Sequence, residues 1–149
     1  MPRRRPRFAP RLVALETRDT PATFTVTTTN DSGAGSLRQA VLDANLNAEP
    51  DVILFSPTAF AAARTVTLTT GAIPISTALT IVGPAAGVTI SGNNQSRIFT
   101  ITDGTDAKVP VTLVGLTLTG GNVADADENE LQAGGGGAIQ TAEDVTIQD

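Results

Sequence analysis

Residues 73–92 read IPISTALTIVGPAAGVTISG, and they hold three short runs, IPIS (73–76), LTIVG (79–83) and VTISG (88–92), parted by turn residues. Within each run Ile, Leu or Val alternates with Thr, Ser or Pro. That is the period of two by which a strand sends successive side chains to opposite faces. The triplet recurs as IFTIT (98–102), VTLVG (111–115) and LTLTG (116–120), and then in part as GAIQT (137–141) and VTIQD (145–149). Self-similarity at such intervals is the mark of a repeat architecture. With one strand assigned to each side of a triangular coil, the pattern predicts an all-β chain, a right-handed parallel β-helix forming the start of a solenoid. Like residues then stack in ladders, and Ile75, Ile81, Ile90, Ile101, Leu113, Leu118, Ile139 and Ile147 are the expected interior, each contributing about 1.5–3 kcal/mol on burial. Thr between them faces solvent. The competing architecture, an antiparallel sandwich or barrel, calls for hairpin turns between longer strands.

Working outward toward the N-terminus, DVILF (51–55) and TVTLTT (65–70) read as leading strands, and TFTVTTT (23–29) as a strand with one buried face. Between them lies SLRQAVLDANLN (36–47), the one convincing helix. Leu37, Ala40, Val41 and Ala44 fall on one face. Ser36 followed by Gln39 matches a capping box, and Pro50 marks the stop. The reading therefore divides the chain into a basic arm (1–22), an N-terminal strand-plus-helix cap (23–72) and parallel β-helix coils (73–149) that end in mid-coil. Further coils beyond Asp149 are the expected partner of that open end.

Composition narrows the chemistry. The 149 residues contain no Cys, His, Trp or Tyr, and only 3% are aromatic. A Ser-His-Asp triad, a Cys-His pair, disulfides and thiolate or imidazole metal sites are thereby excluded within this sequence. Charge is segregated. Residues 1–18 carry six arginines against Glu16, a balance of +5, while the remainder carries four basic against fourteen acidic residues, a balance of −10. An acidic body repels phosphates, so nucleic acid is not an expected partner. No apolar run approaches the roughly 20 residues of a membrane-spanning helix.

The segment Leu15-Glu16-Thr17-Arg18-Asp19-Thr20-Pro21-Ala22 resembles the Leu-Glu-x-Arg-x-x-Pro-Ala element near the start of large extracytoplasmic proteins of planctomycete bacteria. TFTVTTTNDSGAGSLRQAVLDAN followed by DVILF resembles the CSLREA domain that opens many large bacterial repeat proteins. LTIVGPAAGVTISGNNQSRIFTI, VTLVGLTLTGGN and GGGGAI are similar to the β-helical coils that follow that domain, the last to the Gly-Gly-Ala-Ile motif of polymorphic outer-membrane proteins. Two departures stand out: Gly35 occupies the position of the namesake Cys, and Gln39 replaces Glu. The resemblance implies a secreted or cell-envelope protein with a structural or adhesive role, no enzymatic activity, and glycans or other cell-surface components as partners. The alternative is a fragment of a β-helical polysaccharide lyase or glycoside hydrolase acting on acidic glycans.

No catalytic residues are assigned. Asp103 and Asp106 lie in DGTDA, a solvated turn by composition. The acidic insertion holds Asp125, Asp127, Glu128 and Glu130, the one candidate for a Ca²⁺ site. It opens like an EF-hand loop, but Glu130 sits where the turn needs Gly and Gly136 where the bidentate Glu belongs. A flexible charged loop accounts for the same residues, and no cofactor is otherwise expected. Gly134 to Gly137 lack the Lys-Ser/Thr of a phosphate loop and read as a tight re-entry turn.

Overall fold

The protein is described from a computed structural model, which covers residues 20–105, 108–123 and 137–149. The described elements are β1 (Thr23–Val26), α1 (Leu37–Ala44), β2 (Asp51–Phe55), β3 (Arg64–Thr67), β4 (Ile73–Ile75), β5 (Leu79–Val82), β6 (Val88–Ser91), β7 (Phe99–Ile101), β8 (Val111–Val114), β9 (Leu116–Thr119), β10 (Ile139–Thr141) and β11 (Val145–Gln148). They build a five-stranded sheet in the order β1-β2-β5-β8-β11 and two three-stranded sheets, β10-β7-β4 and β3-β6-β9. Every pairing is parallel. From β3 onward each strand pairs with the strand three places along, so the runs that align in the sequence are those that meet in space.

This topology corrects the expected class. The all-β right-handed parallel β-helix with a strand-plus-helix cap gives way to three small parallel sheets of five, three and three strands with one short helix. The leading strands β1, β2 and β3 are not a separate cap layer, for each is hydrogen-bonded into a sheet with later strands. The physical reason is that a recurrence of short strands fixes pairing and register, whereas it does not fix how sheets are disposed about one another.

Register sets the core. In-register pairs stack Ile53 on Ile81 on Leu113, Val66 on Ile90, Ile73 on Phe99 and Ile75 on Ile101, all buried. Phe60 adds an edge-to-face contact with Phe55 at 4.9 Å between ring centroids. Of the expected interior, Ile75, Ile81, Ile90, Ile101 and Leu113 are buried, Leu118 and Ile139 are partly so, and Ile147 is 62% exposed.

The helix is shorter than its sequence pattern, because Leu46 and Asn47 bond to the carbonyls of Asp43 and Ala44 in a tighter final turn. Only half of the capping box forms. The Ser36 side chain accepts from the Gln39 backbone N–H at 3.1 Å, but the Gln39 amide turns along the helix to Asp43 at 2.7 Å. The Ser36 backbone N–H goes to Gly33 instead. Gly35, in the preceding turn, has φ +77°, and a Cβ there would run into Thr27 Oγ1. The position that the resemblance gives to cysteine is therefore one that this backbone keeps for glycine.

Leu37, Ala40, Val41 and Ala44 are the buried helix residues, and α1 packs on β1, β2 and β4. Replacing Val41, fully buried, with Asp should cost about 3–5 kcal/mol in urea unfolding, since it strands a charge without a partner. Leu46→Asp, at a position 88% exposed, should change stability by no more than about 0.5 kcal/mol. Equal losses for the two would mean that α1 does not seal the interior.

Candidate functional site

The outward face of β3-β6-β9 is a regular polar surface. Register places Thr65 beside Thr89 and Thr117, and Thr67 beside Ser91 and Thr119, in two columns. Neighbouring strands lie about 4.8 Å apart, and alternate residues along a strand about 6.6 Å apart. The hydroxyls therefore form a grid, because Val66, Ile90 and Leu118 between them turn inward and hold every strand in phase. Thr65, Thr67, Thr117 and Thr119 are exposed, and Ser91 Oγ is engaged locally, accepting from the Asn93 N–H at 3.1 Å. A polar groove of 590 Å³ continues the grid past β3, lined by Thr29, Asn30, Asp31, Ser32, Thr65, Thr67 and Thr69.

The groove wall is fixed by Asp31. One carboxylate oxygen accepts from Arg38 Nη2 at 2.7 Å and Nε at 3.1 Å. The other accepts from the backbone N–H groups of Thr69 and Thr70 at 3.0 and 2.9 Å and from both threonine hydroxyls. Arg38 then donates to the carbonyls of Gly71 at 2.6 Å and Ala72 at 2.9 Å. Burial opposes ionisation of Asp31, but the bonds from Thr70, Arg38 and Thr69 outweigh it and hold the carboxyl well below the ordinary carboxylate range.

Glu143 is a buried acid that the sequence did not single out. Its side chain accepts from the Val109 N–H at 2.9 Å and the Asp103 N–H at 3.4 Å, which ties the loop after β7 to the turn before β11. Asp103 is held low mainly by the backbone N–H of Thr105, helped by its hydroxyl. Lys108 donates to the Ala142 carbonyl. Arg97 donates to Gln140 at 2.8 Å, leaving its buried Nε without a partner among the described residues. Asp51, also buried, accepts from the Ala22 N–H at 2.7 Å and from Asn47 at 2.8 Å, while its second oxygen has no partner among the described residues. No pattern in the sequence marks Asp51 or Glu143 as buried acids, since backbone N–H groups brought in by the fold, from Ala22 to Asp51 and from Asp103 and Val109 to Glu143, are among their partners.

The candidate Ca²⁺ residues Asp125, Asp127, Glu128 and Glu130 lie outside the described residues, as do Asp106 and Gly134, Gly135 and Gly136. Among the described residues no three potential metal-ligating side chains gather, and no helix is long and apolar enough to cross a membrane. An apolar groove of 560 Å³ lies outside β2 and β5, lined by Leu54, Phe55, Pro57, Phe60, Ala61 and the Val82–Ala86 stretch.

No family model, curated protein or solved structure matches this chain.

The Asp31 geometry fixes a pH dependence. Because the folded protein holds this carboxyl ionised below the ordinary value of about 3.9, the unfolded chain takes up its proton first as pH falls. The contribution is complete at neutral pH and is lost as pH drops below about 4 toward the folded value. Asp31→Asn should therefore lower stability at pH 7 by about 2–4 kcal/mol and flatten its acid decline. Denaturant titrations at pH 7, 4 and 3 check both. An unchanged slope would remove Asp31 from that role.

Proposed function

We propose that the protein is a non-enzymatic structural or adhesive component, secreted or held at the cell envelope, that meets neutral glycans through the hydroxyl grid of β3-β6-β9 and its adjoining groove. The observation that carries the reading is the in-register grid. Six uncharged hydroxyl side chains are repeated at strand spacing, and their backbone is pinned by a buried apolar layer. A hydroxyl both donates and accepts, so such a surface matches sugar hydroxyls without needing a charged partner. The preorganised backbone keeps the entropy cost of binding small. The extracytoplasmic setting rests on the resemblance of residues 15–22 and 23–55 to secreted bacterial proteins.

The test is retention on immobilised neutral polysaccharides, compared with a variant in which Thr65, Thr89 and Thr117 are all Val. Three lost hydrogen bonds, each worth about 0.5–1.5 kcal/mol, should weaken binding by roughly tenfold or more with thermal unfolding unchanged. Equal retention of both proteins would overturn the assignment of the site. Release of unsaturated or reducing-end products from pectin or alginate would overturn the non-enzymatic reading.

A further inference from the structure

The hydroxyl side chains on the outer face of β3-β6-β9 repeat in two directions. Across the strands, the rows Thr65-Thr89-Thr117 and Thr67-Ser91-Thr119 repeat at the strand separation of about 4.8 Å. Along each strand the two hydroxyls stand two residues apart, about 6.6 Å. The register runs without a bulge through all four residues of each pairing. It continues past the strand ends, where Arg64 and Leu68 donate to the carbonyls of Gly87 and Ser91, and Gly92 to that of Thr119. Side-chain ladders of this kind favour a flat sheet over a twisted one.

These hydroxyls are also available. Among the described residues none bonds to the side-chain hydroxyl of Thr65, Thr67, Thr89, Thr117 or Thr119. Ser91 Oγ accepts from the Asn93 N–H and keeps its own proton to donate. The neighbouring Thr69 and Thr70 differ, since both of their hydroxyls are given to Asp31. Threonine is stiff at χ1, so a regular backbone spaces its hydroxyls and methyls regularly as well. None of the six side chains is charged, so none holds a tight hydration shell of its own.

Crystalline water presents a lattice of nearly the same dimensions. Each oxygen bonds tetrahedrally to four others at about 2.8 Å, which sets second neighbours about 4.5 Å apart and repeats the lattice at about 7.4 Å in the perpendicular direction. The grid departs from these spacings by about 0.3 Å per strand and about 0.8 Å along a strand. Over three hydroxyls by two, the mismatch stays within what small rotations of side chain and water absorb. We propose that the outer face of β3-β6-β9 adsorbs to ice, on the crystal plane that contains these two repeats. A glycan needs hydroxyls within reach, whereas ice needs them in phase. The proposal therefore goes beyond the glycan reading and rests on the spacing of the grid alone.

The test is partition of the 149-residue chain between slowly grown polycrystalline ice and the remaining liquid, with microscopy of single ice crystals in the same solution. The expected result is enrichment in the ice, faceted crystals and a gap between melting and growth temperatures, where an inert globular protein is expelled. Thr89→Lys, at the centre of the grid, should cut incorporation at least tenfold while circular dichroism and thermal unfolding stay the same. Thr67→Lys, at an exposed position of β3, should do likewise. Thr112→Lys lies on the outer face of the five-stranded sheet, where the next outward row is Val82 and Val114, and should leave incorporation unchanged. Expulsion of the unaltered chain from ice, or equal incorporation of the folded Thr89→Lys and Thr67→Lys variants, would overturn the proposal. Polysaccharide retention is read separately: retention with expulsion from ice refutes ice binding alone, and incorporation into ice without retention refutes the glycan reading alone.

Discussion

The structure depends on how the backbone of residues 69–76 is satisfied. This stretch leads into and through β4 at the margin of its sheet, and its polar groups would otherwise face either solvent or another chain. Three side chains at seven-residue intervals, Asp31, Arg38 and Asn45, meet them in order: Asp31 at Thr69 and Thr70, Arg38 at Gly71 and Ala72, Asn45 at Pro74 and Ser76. Arg38 and Asn45 share a helix face because seven residues make nearly two turns. The apolar stripe of Leu37, Ala40, Val41 and Ala44 sits beside that face and is buried against β1, β2 and β4. One short helix therefore covers an interior and an edge at once. Its orientation is fixed by charge-assisted bonds as well as by packing.

The strands and the buried helix stripe were legible because each depends on local period, which three or four residues suffice to reveal. Strand pairing was legible as well, since stacked residues are alike, as in Thr80, Thr112 and Thr146. The disposition of the sheets was not, and the expected β-helix was accordingly replaced. Arg38, off the apolar stripe of the helix, is legible as a residue that pairs with a nearby carboxylate or a strand-end carbonyl, as it does with Asp31, Gly71 and Ala72; the reach of Asp31 and Asn45 to residues 69–76 is not. Asp31 reaches Thr69 and Thr70 across 38 and 39 positions, and neither end carries a recognisable motif. Gln39 looked like the second half of a capping box, but Asp43, one turn on, offers it a partner. Glu143 is not legible because a carboxylate bonded only to backbone N–H groups leaves no pairing of side chains to detect.

The hydroxyl grid and the core are one fact seen from two sides. Because side chains alternate strictly, the register that puts Val66 on Ile90 is also the register that puts Thr65 on Thr89 and Thr67 on Ser91. A slip of one residue would bury threonines and expose the apolar ladder. Selection for a packed interior thus yields an ordered outer face without separate cost. That explains why a plain Thr-x-Thr pattern is enough to build a two-dimensional array.

The order of that array is graded. Thr89 and Ser91 belong to β6, held between two neighbours over fully buried Ile90, whereas Thr117 and Thr119 belong to β9, whose Leu116 and Leu118 are only partly buried. Local opening is easiest where apolar contacts are fewest. The part of the grid on β9 is therefore softer than the part on β6.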